Sequence, residues 1–577
     1  MSHSIDSTTS PRRRSHRHAL AAALLLACIS PMAMATGNDT PGFGFNYWPQ
    51  DYRGCQELTD ATWPAAQKAI AADLDLMKSL GVDVLRLSLY METSGYSPGN
   101  SPVPDMCKYL PNFLDLIEGA GLKVIVAFSN TYLGFDHANN RYYWQAPIYG
   151  FVTTPPTTGY WQFLEHSKEW IGTMVELTRD SGSILYYDIQ NEYDSTIPDI
   201  DYYFRTMYGE IPAGKRGISI LNTPHDIKPV GGDNWKSIPS QLHVLEDTLS
   251  YVDFHSYPQV PKHTCPLHWD IENVSDNMRS AFGANTTIVM GEFGRRAIGQ
   301  NDPNPDIGAY LNNCTPPNTP NERHWDEPSQ RIAELDLIAR AANKGIPYYL
   351  HWMLWDHTPK PETPPGPSTD PAKLQVYGYG YSPHAPKDVL GALAEQRGLI
   401  PNADFENAPQ VGQLPQLWDK GSWGPSNNAP PVLLFVSGGA NTGEAATRDH
   451  YARLQAQQAC ATCVIWMQAD AFDIGPGKRL HFNAYLRSNL DQVQMKLVQY
   501  DANWNVLATY AAPAVTLTGW SWNNYMVRAH ALDPPNASAS LSTTTVAGTA
   551  RVILTIGGTP AAAPAILDVD TVSVAAD

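Results

Sequence analysis

Between residues 42 and 353 the chain alternates, eight times over, a short β-branched or aromatic run with a longer, mostly helix-like stretch. The runs are Gly42 to Tyr47, Val84 to Leu89, Lys123 to Phe128, Ile184 to Ile189, Pro229 to Gly231, Tyr251 to Phe254, Thr287 to Met290 and Tyr348 to Met353. Clear amphipathic stretches between them are Trp63 to Leu80, Tyr109 to Ala120, Tyr160 to Asp180 and Glu327 to Lys344. Apolar strands interleaved with helices need a parallel sheet covered by helices, and eight such units close on themselves as a (β/α)8 barrel. Three inserts, at residues 130–159, 299–328 and 358–386, each follow a strand and so belong to the C-terminal face of that barrel. Long βα loops are usually functional, and Tyr132, Tyr142, Tyr143 and Trp144 suit the wall of a binding cleft.

After Arg397 helical periodicity fades into short alternating runs such as Leu480 to Arg487 and Arg551 to Thr555, broken by Gly, Pro, Asn and Asp. That pattern predicts an all-β sandwich. The expected layout is a leader at 1–35, a barrel domain at 36–397 and a β-sandwich domain at 398–577. The 43% hydrophobic and 17% charged content is that of a globular protein. A formal charge of −18 argues against nucleic acid, whose phosphates reward clustered Lys and Arg, and favours a neutral substrate.

Arg12 to Arg14, the apolar run Ala19 to Ile29 and Ala33-Met34-Ala35 together read as a secretory signal peptide cleaved after Ala35. Its apolar core is shorter than the roughly 20 residues of a membrane span, so no transmembrane segment is expected. Leu25-Leu26-Ala27-Cys28 loosely resembles a lipoprotein box, which makes a lipid anchor at Cys28 the alternative. An exported product, extracellular or periplasmic, retains Cys55, Cys107, Cys265, Cys314, Cys460 and Cys463. An even set suggests disulfides, paired by neighbourhood as Cys55 with Cys107, Cys265 with Cys314 and Cys460 with Cys463. No second Cys or His pair supports zinc at Cys460-x-x-Cys463.

Two acids stand where an apolar strand ends abruptly in polar residues: Glu192 after Ile184 to Asn191, and Glu292 after Thr287 to Gly291. They close the fourth and seventh runs, whose C-terminal ends face one barrel mouth. Cleaving a glycosidic bond needs a proton donor for the leaving oxygen and a second carboxylate to meet the oxocarbenium-like carbon. The blander readings are a helix cap at Glu192 and an ion pair of Glu292 with Arg295 or Arg296. No Gly-x-Ser-x-Gly elbow or nucleotide-binding glycine loop offers a rival chemistry.

With these residues in view, the chain resembles clan A glycoside hydrolases, most nearly family 5. Asn191-Glu192 is similar to the family's acid/base motif and Gly291-Glu292-Phe293-Gly294 to its nucleophile motif. His255-Ser256-Tyr257 is similar to its His-x-Tyr, Arg86 to the arginine bracing the nucleophile, and Trp352 to the tryptophan flooring the sugar subsite, with Trp355 the competing register. The resemblance implies a retaining double displacement with Glu292 as nucleophile, Glu192 as acid/base, and their carboxyls about 5 to 5.5 Å apart. It also implies that Asn191 contacts a sugar hydroxyl, that Tyr257 and Arg86 hold Glu292, that His255 joins the network around Glu192 or the sugar, and that catalysis needs no cofactor. Many family members carry a His at the end of the third strand, where this chain has Ser129-Asn130, so Asn130 is the sugar contact expected there.

The ends of the second region, Leu399 to Glu406 and Ile566 to Val574, resemble carbohydrate-binding jelly rolls of families 4 and 9. That likeness implies a structural calcium held by Glu406, Asp568 and Asp404, and sugar stacking on aromatics among Trp418, Trp423, Trp466, Trp504, Trp520 and Trp522. The expected function is a monomeric, endo-acting hydrolase of a β-glucan or β-mannan. Its rivals are an exo-acting glycosidase with a loop-closed pocket and a catalytically silent sugar-binding protein.

Overall fold

The computed structural model describes residues 42–49, 52, 54–90, 107–129, 132–136, 141–146, 150–152, 160–191, 200–220, 249–256, 271–283, 285–294, 327–356, 380–381, 385–400, 405, 415, 417–423, 432–437, 450–517, 520–524 and 542–577. The expected leader with Cys28, and Asn130, Glu192, Tyr257, Cys265, Cys314, Asp404 and Glu406, lie outside them.

Eight parallel strands form a closed barrel: Gly42–Asn46, Val84–Tyr90, Lys123–Ser129, Ile184–Asp188, Arg216–Ile220, Tyr251–Ser256, Thr287–Phe293 and Tyr348–Trp352. Seven match the expected runs, whereas the fifth is Arg216–Ile220 and not Pro229 to Gly231, which falls outside the described residues. Arg-Gly-Ile-Ser-Ile is short and half polar, so it lacks the apolar signature of its neighbours. Its Gly217 serves shape, because a Cβ there would lie 2.5 Å from the Tyr186 ring.

Side chains alternate between the barrel interior and the surrounding helices. Val84, Ile125, Tyr186, Val289 and Leu350 form one apolar cluster inside, while Leu85, Val126, Tyr187, Met290 and Tyr349 join the core outside it. One step further along the strands, towards their C-terminal ends, the interior turns polar with Asn46, Arg86, Asp188, Ser219 and Asp253, all buried. The apolar layer is the plug and the polar layer the floor of the mouth, the end at which barrels of this kind carry their sites.

The first long insert contains a three-stranded antiparallel sheet, Tyr132–Asp136, Arg141–Ala146 and Gly150–Val152. Cys55 is bonded to Cys107, and Cys460 to Cys463, as the neighbourhood rule expected.

Among the described residues beyond Arg397, two antiparallel sheets of six strands each enclose a second apolar core. The strand Arg479–Ser488 is buried on both faces. Leu480, Phe482, Ala484 and Leu486 point into the sandwich, while Tyr485 belongs to the apolar cluster of the barrel and Trp522 packs against it. Helix Trp63–Ser79 meets this face: Ser79 Oγ lies 2.7 Å from Ser573 Oγ, and Lys78 Nζ 2.8 Å from Asp577 Oδ2. Arg479 also donates to the Gly119 carbonyl at 3.2 Å. Residues 41–577 thus form one compact unit.

Candidate active site

At the centre of the polar floor is Arg86, fully buried on the second strand. Its Nη1 donates to Glu292 Oε1 at 2.6 Å and to Asn46 Oδ1 at 3.0 Å. Nη2 donates to Asp188 Oδ2 at 2.7 Å and to Asn191 Oδ1 at 2.6 Å. Nε faces Asp253 Oδ2 at 3.5 Å. One planar cation therefore serves three carboxylates, a task for which a guanidinium's fixed fork of donors is suited and an ammonium is not. Burial alone would lower the arginine's proton affinity, but Glu292, Asp253 and Asp188 outweigh it and hold the guanidinium firmly charged.

The acids are supported in turn. Asp188 Oδ1 accepts the Ser219 N–H at 2.8 Å. Asp253 Oδ1 accepts the Gly291 N–H at 2.9 Å, and its Oδ2 the Tyr186 hydroxyl at 3.1 Å. Burial raises the Asp188 carboxyl above the usual carboxylate range against the pull of Arg86. Burial raises Asp253 further, opposed by Arg86 and reinforced by Asp188 and Glu292. His255 is buried with Nδ1 3.3 Å from Glu292 Oε2 and Nε2 3.5 Å from Asp253 Oδ1. Burial lowers its pKa to about 4 even though Glu292 pulls the other way, so the imidazole is neutral above that pH.

The structure thus brings together Arg86, Asn191, His255 and Glu292. His255 stands against Glu292 and Asp253, whereas the sequence reading set it around Glu192 or the sugar. Trp352 is half-buried at the end of the eighth strand, in register with Asn46, and its peptide bond to Met353 is cis. Trp355 is buried and its Nε1 donates to Asp73 Oδ1 at 2.9 Å, which makes it a core residue behind the first strand.

Asn46, Asp188 and Asp253 were missed by sequence reasoning. A charged residue is rarely fully buried without a partner, so Asp188 inside Ile-Leu-Tyr-Tyr-Asp-Ile and Asp253 inside Tyr-Val-Asp-Phe-His carried a signal that their motif neighbours masked.

The model of the family Cellulase (glycosyl hydrolase family 5) matches residues 35–358, more than half of the chain. The chain belongs to glycosyl hydrolase family 5. No curated protein matches it significantly. Among solved structures this family 5 chain is similar to an exo-β-1,4-mannosidase from Opitutaceae bacterium strain TAV5, at 18% identity and a TM-score of 0.40, over 62% of this chain and 59% of that one. It is also similar to a GH5_18 protein from Bifidobacterium longum subsp. infantis, at 14% identity and a TM-score of 0.41, over 62% and 78% of the two chains. A GH5_18 protein from Streptomyces cattleya in complex with GlcNAc aligns at 15% identity and a TM-score of 0.38, over 60% and 76%. Enzymes of this family are glycoside hydrolases, with the retaining mechanism typical of clan A and no cofactor needed for catalysis.

In the sandwich, the expected calcium ligand Asp568 is otherwise engaged. Its carboxylate accepts from Arg453 at 2.6 and 2.9 Å and from Arg487 at 3.0 and 2.8 Å, and two guanidinium groups repel a cation. No group of His, Cys, Asp and Glu among the described residues could hold a metal ion. Trp418 is buried against Phe405 and is core, not a sugar platform. Trp504 and Trp520 are about half exposed, each stacked with an arginine, Arg551 and Arg487 respectively. Trp466 lies along its sheet between two glycines that are its register partners, Gly421 and Gly557. A Cβ at Gly421 would meet the indole at 2.0 Å.

Proposed function

We propose that this protein is an exported, endo-acting β-glycanase that cleaves a β-glucan or β-mannan by double displacement. Glu292 attacks the anomeric carbon as the glycosidic C–O bond breaks. The departing oxygen takes its electron pair and a proton from Glu192. Water then attacks the glycosyl-enzyme, Glu192 removes its proton, and the ester bond to Glu292 breaks with the electron pair returning to the carboxylate. The observation that carries this reading is Glu292 itself, 3% exposed at the C-terminal end of a barrel strand with Arg86 at 2.6 Å. A carboxylate so held is aimed at the mouth, where an oxocarbenium-like carbon would meet it.

Asn191, whose amide oxygen is held by Arg86, offers its Nδ2 to a sugar hydroxyl. On the family resemblance, Trp352 and Asn130 serve as sugar contacts and Tyr257 as a residue that keeps Glu292 ionised. The barrel, taken as 36–397, carries catalysis. The sandwich, taken as 398–577, holds polysaccharide near the cleft, with the flat indole of Trp466 as its platform.

The test is a screen of β-glucans and β-mannans, followed by Glu292→Gln on the substrate found. The substitution should lower kcat by at least about a thousandfold, roughly 4 kcal/mol, and a deoxyfluoroglycosyl fluoride should label Glu292 in the wild type. Full activity of Glu292→Gln, or a first-formed product of inverted configuration, overturns the reading. Oligosaccharides of mixed length mark endo action, single residues released from one end mark exo action, and inactivity on every glycan with retained binding marks a silent binder.

A further inference from the structure

The seventh barrel strand falls out of step with both neighbours at one residue. Met290 pairs with Phe254 and Glu292 with His255, so Gly291 is additional on that side. On the other side Met290 pairs with Tyr349 and Phe293 with His351. Such a bulge reverses which side chains face inward. Val289 lies in the interior cluster and Met290 outside it. Strict alternation would then put Glu292 outside and Phe293 inside. Instead Phe293 joins the outer core, and Glu292 meets Arg86 within.

A backbone pushed out of its ladder needs other partners for its N–H and C=O. Gly291 finds both in side chains: its N–H donates to Asp253 Oδ1 at 2.9 Å, and its carbonyl accepts from Asn46 Nδ2 at 2.8 Å. Both side chains are buried. The approach is so close that a Cβ on residue 291 would lie 1.9 Å from Asp253 Oδ2. The geometry points to Asn46 and Asp253 as positioning residues that clamp Gly291 from either side and so hold the reversed alternation that turns Glu292 into the active site. This rests on Glu292 being the nucleophile.

The experiment compares Asp253→Ala, Asp253→Asn and Asn46→Ala on dinitrophenyl β-cellobioside. It repeats Asp253→Ala in a Glu292→Ala background with azide as the external nucleophile. Asp253→Ala and Asn46→Ala should each lower kcat at least about a hundredfold with KM changed less than about threefold, and Asp253→Asn should stay within about tenfold of wild type. In the Glu292→Ala background, where there is no carboxylate to aim, adding Asp253→Ala should leave formation of the α-glycosyl azide within about threefold. A wild-type rate for Asp253→Ala, an equal loss in Asp253→Asn, or a collapse of the azide reaction in the double variant overturns the clamp. Glu292→Ala giving no α-azide strikes the nucleophile assignment instead. A crystal structure of Asp253→Ala then decides the clamp without catalysis: Glu292 displaced from Arg86 is expected, and Glu292 unmoved with the bulge intact overturns it.

Discussion

His255 shows how burial sets a side chain's chemistry. An imidazole ordinarily titrates near pH 6.5, yet inside the barrel it does so at about 4. Between those values the unfolded chain binds a proton that the native protein refuses, so stability falls as the pH drops through that window and is fully present above it. Asp188 and Asp253, whose proton affinities are raised, work in the opposite sense, so the contribution of His255 is read by difference. Denaturant unfolding of wild type and His255→Asn should show the wild type losing relative stability between pH 6.5 and 4, by on the order of 3 kcal/mol. A constant difference across that range would show that His255 does not carry the effect. Arg86 makes the complementary point, since the sequence offered it as the brace of one acid and the fold gives it three.

The strand is the scale at which the sequence was most and least legible. Seven barrel strands announce themselves as apolar runs because they are buried on both faces. The fifth hides because its interior positions are Gly217 and Ser219, small residues that yield space to larger neighbours. Tyr186 fills the room beside Gly217 and stacks on Tyr251 at 4.4 Å between ring centres. Gly217→Ala should therefore cost about 1–3 kcal/mol in urea unfolding, since the added methyl meets the fully buried Tyr186 ring. A cost below a few tenths would mean the interior is looser than it looks. The strand-end residues of the site could be read because each is polar at the close of an apolar run. The bulge at Gly291 could not, because alternation in the sequence says nothing of a residue squeezed out of register. The same blindness applies to Asp568, whose position at the end of the chain resembles a calcium ligand until Arg453 and Arg487 arrive from two other strands.

In the whole molecule, the two folds that the sequence separates share a surface. Tyr485 of the sandwich completes the apolar cluster of the barrel, and helix Asp388–Arg397 runs into the sandwich through Leu399, whose N–H donates to the Val574 carbonyl at 2.7 Å. A chain cut after residue 397 strips the cover from helix Trp63–Ser79, whose buried set includes Lys78 and Ser79. Such a fragment should be recovered largely insoluble or should melt well below the full chain, by about 5 °C or more in a thermal scan. An equally soluble fragment with an unchanged melting temperature would show the contact to be dispensable. Helix Trp63–Ser79 also supplies Asp73, which bonds both Tyr47 and Trp355, so its outer flank grips the sandwich while its inner flank steadies the mouth. Anyone wishing to graft a binding module onto this chain must then treat the native sandwich as part of the chassis, and attach the newcomer elsewhere.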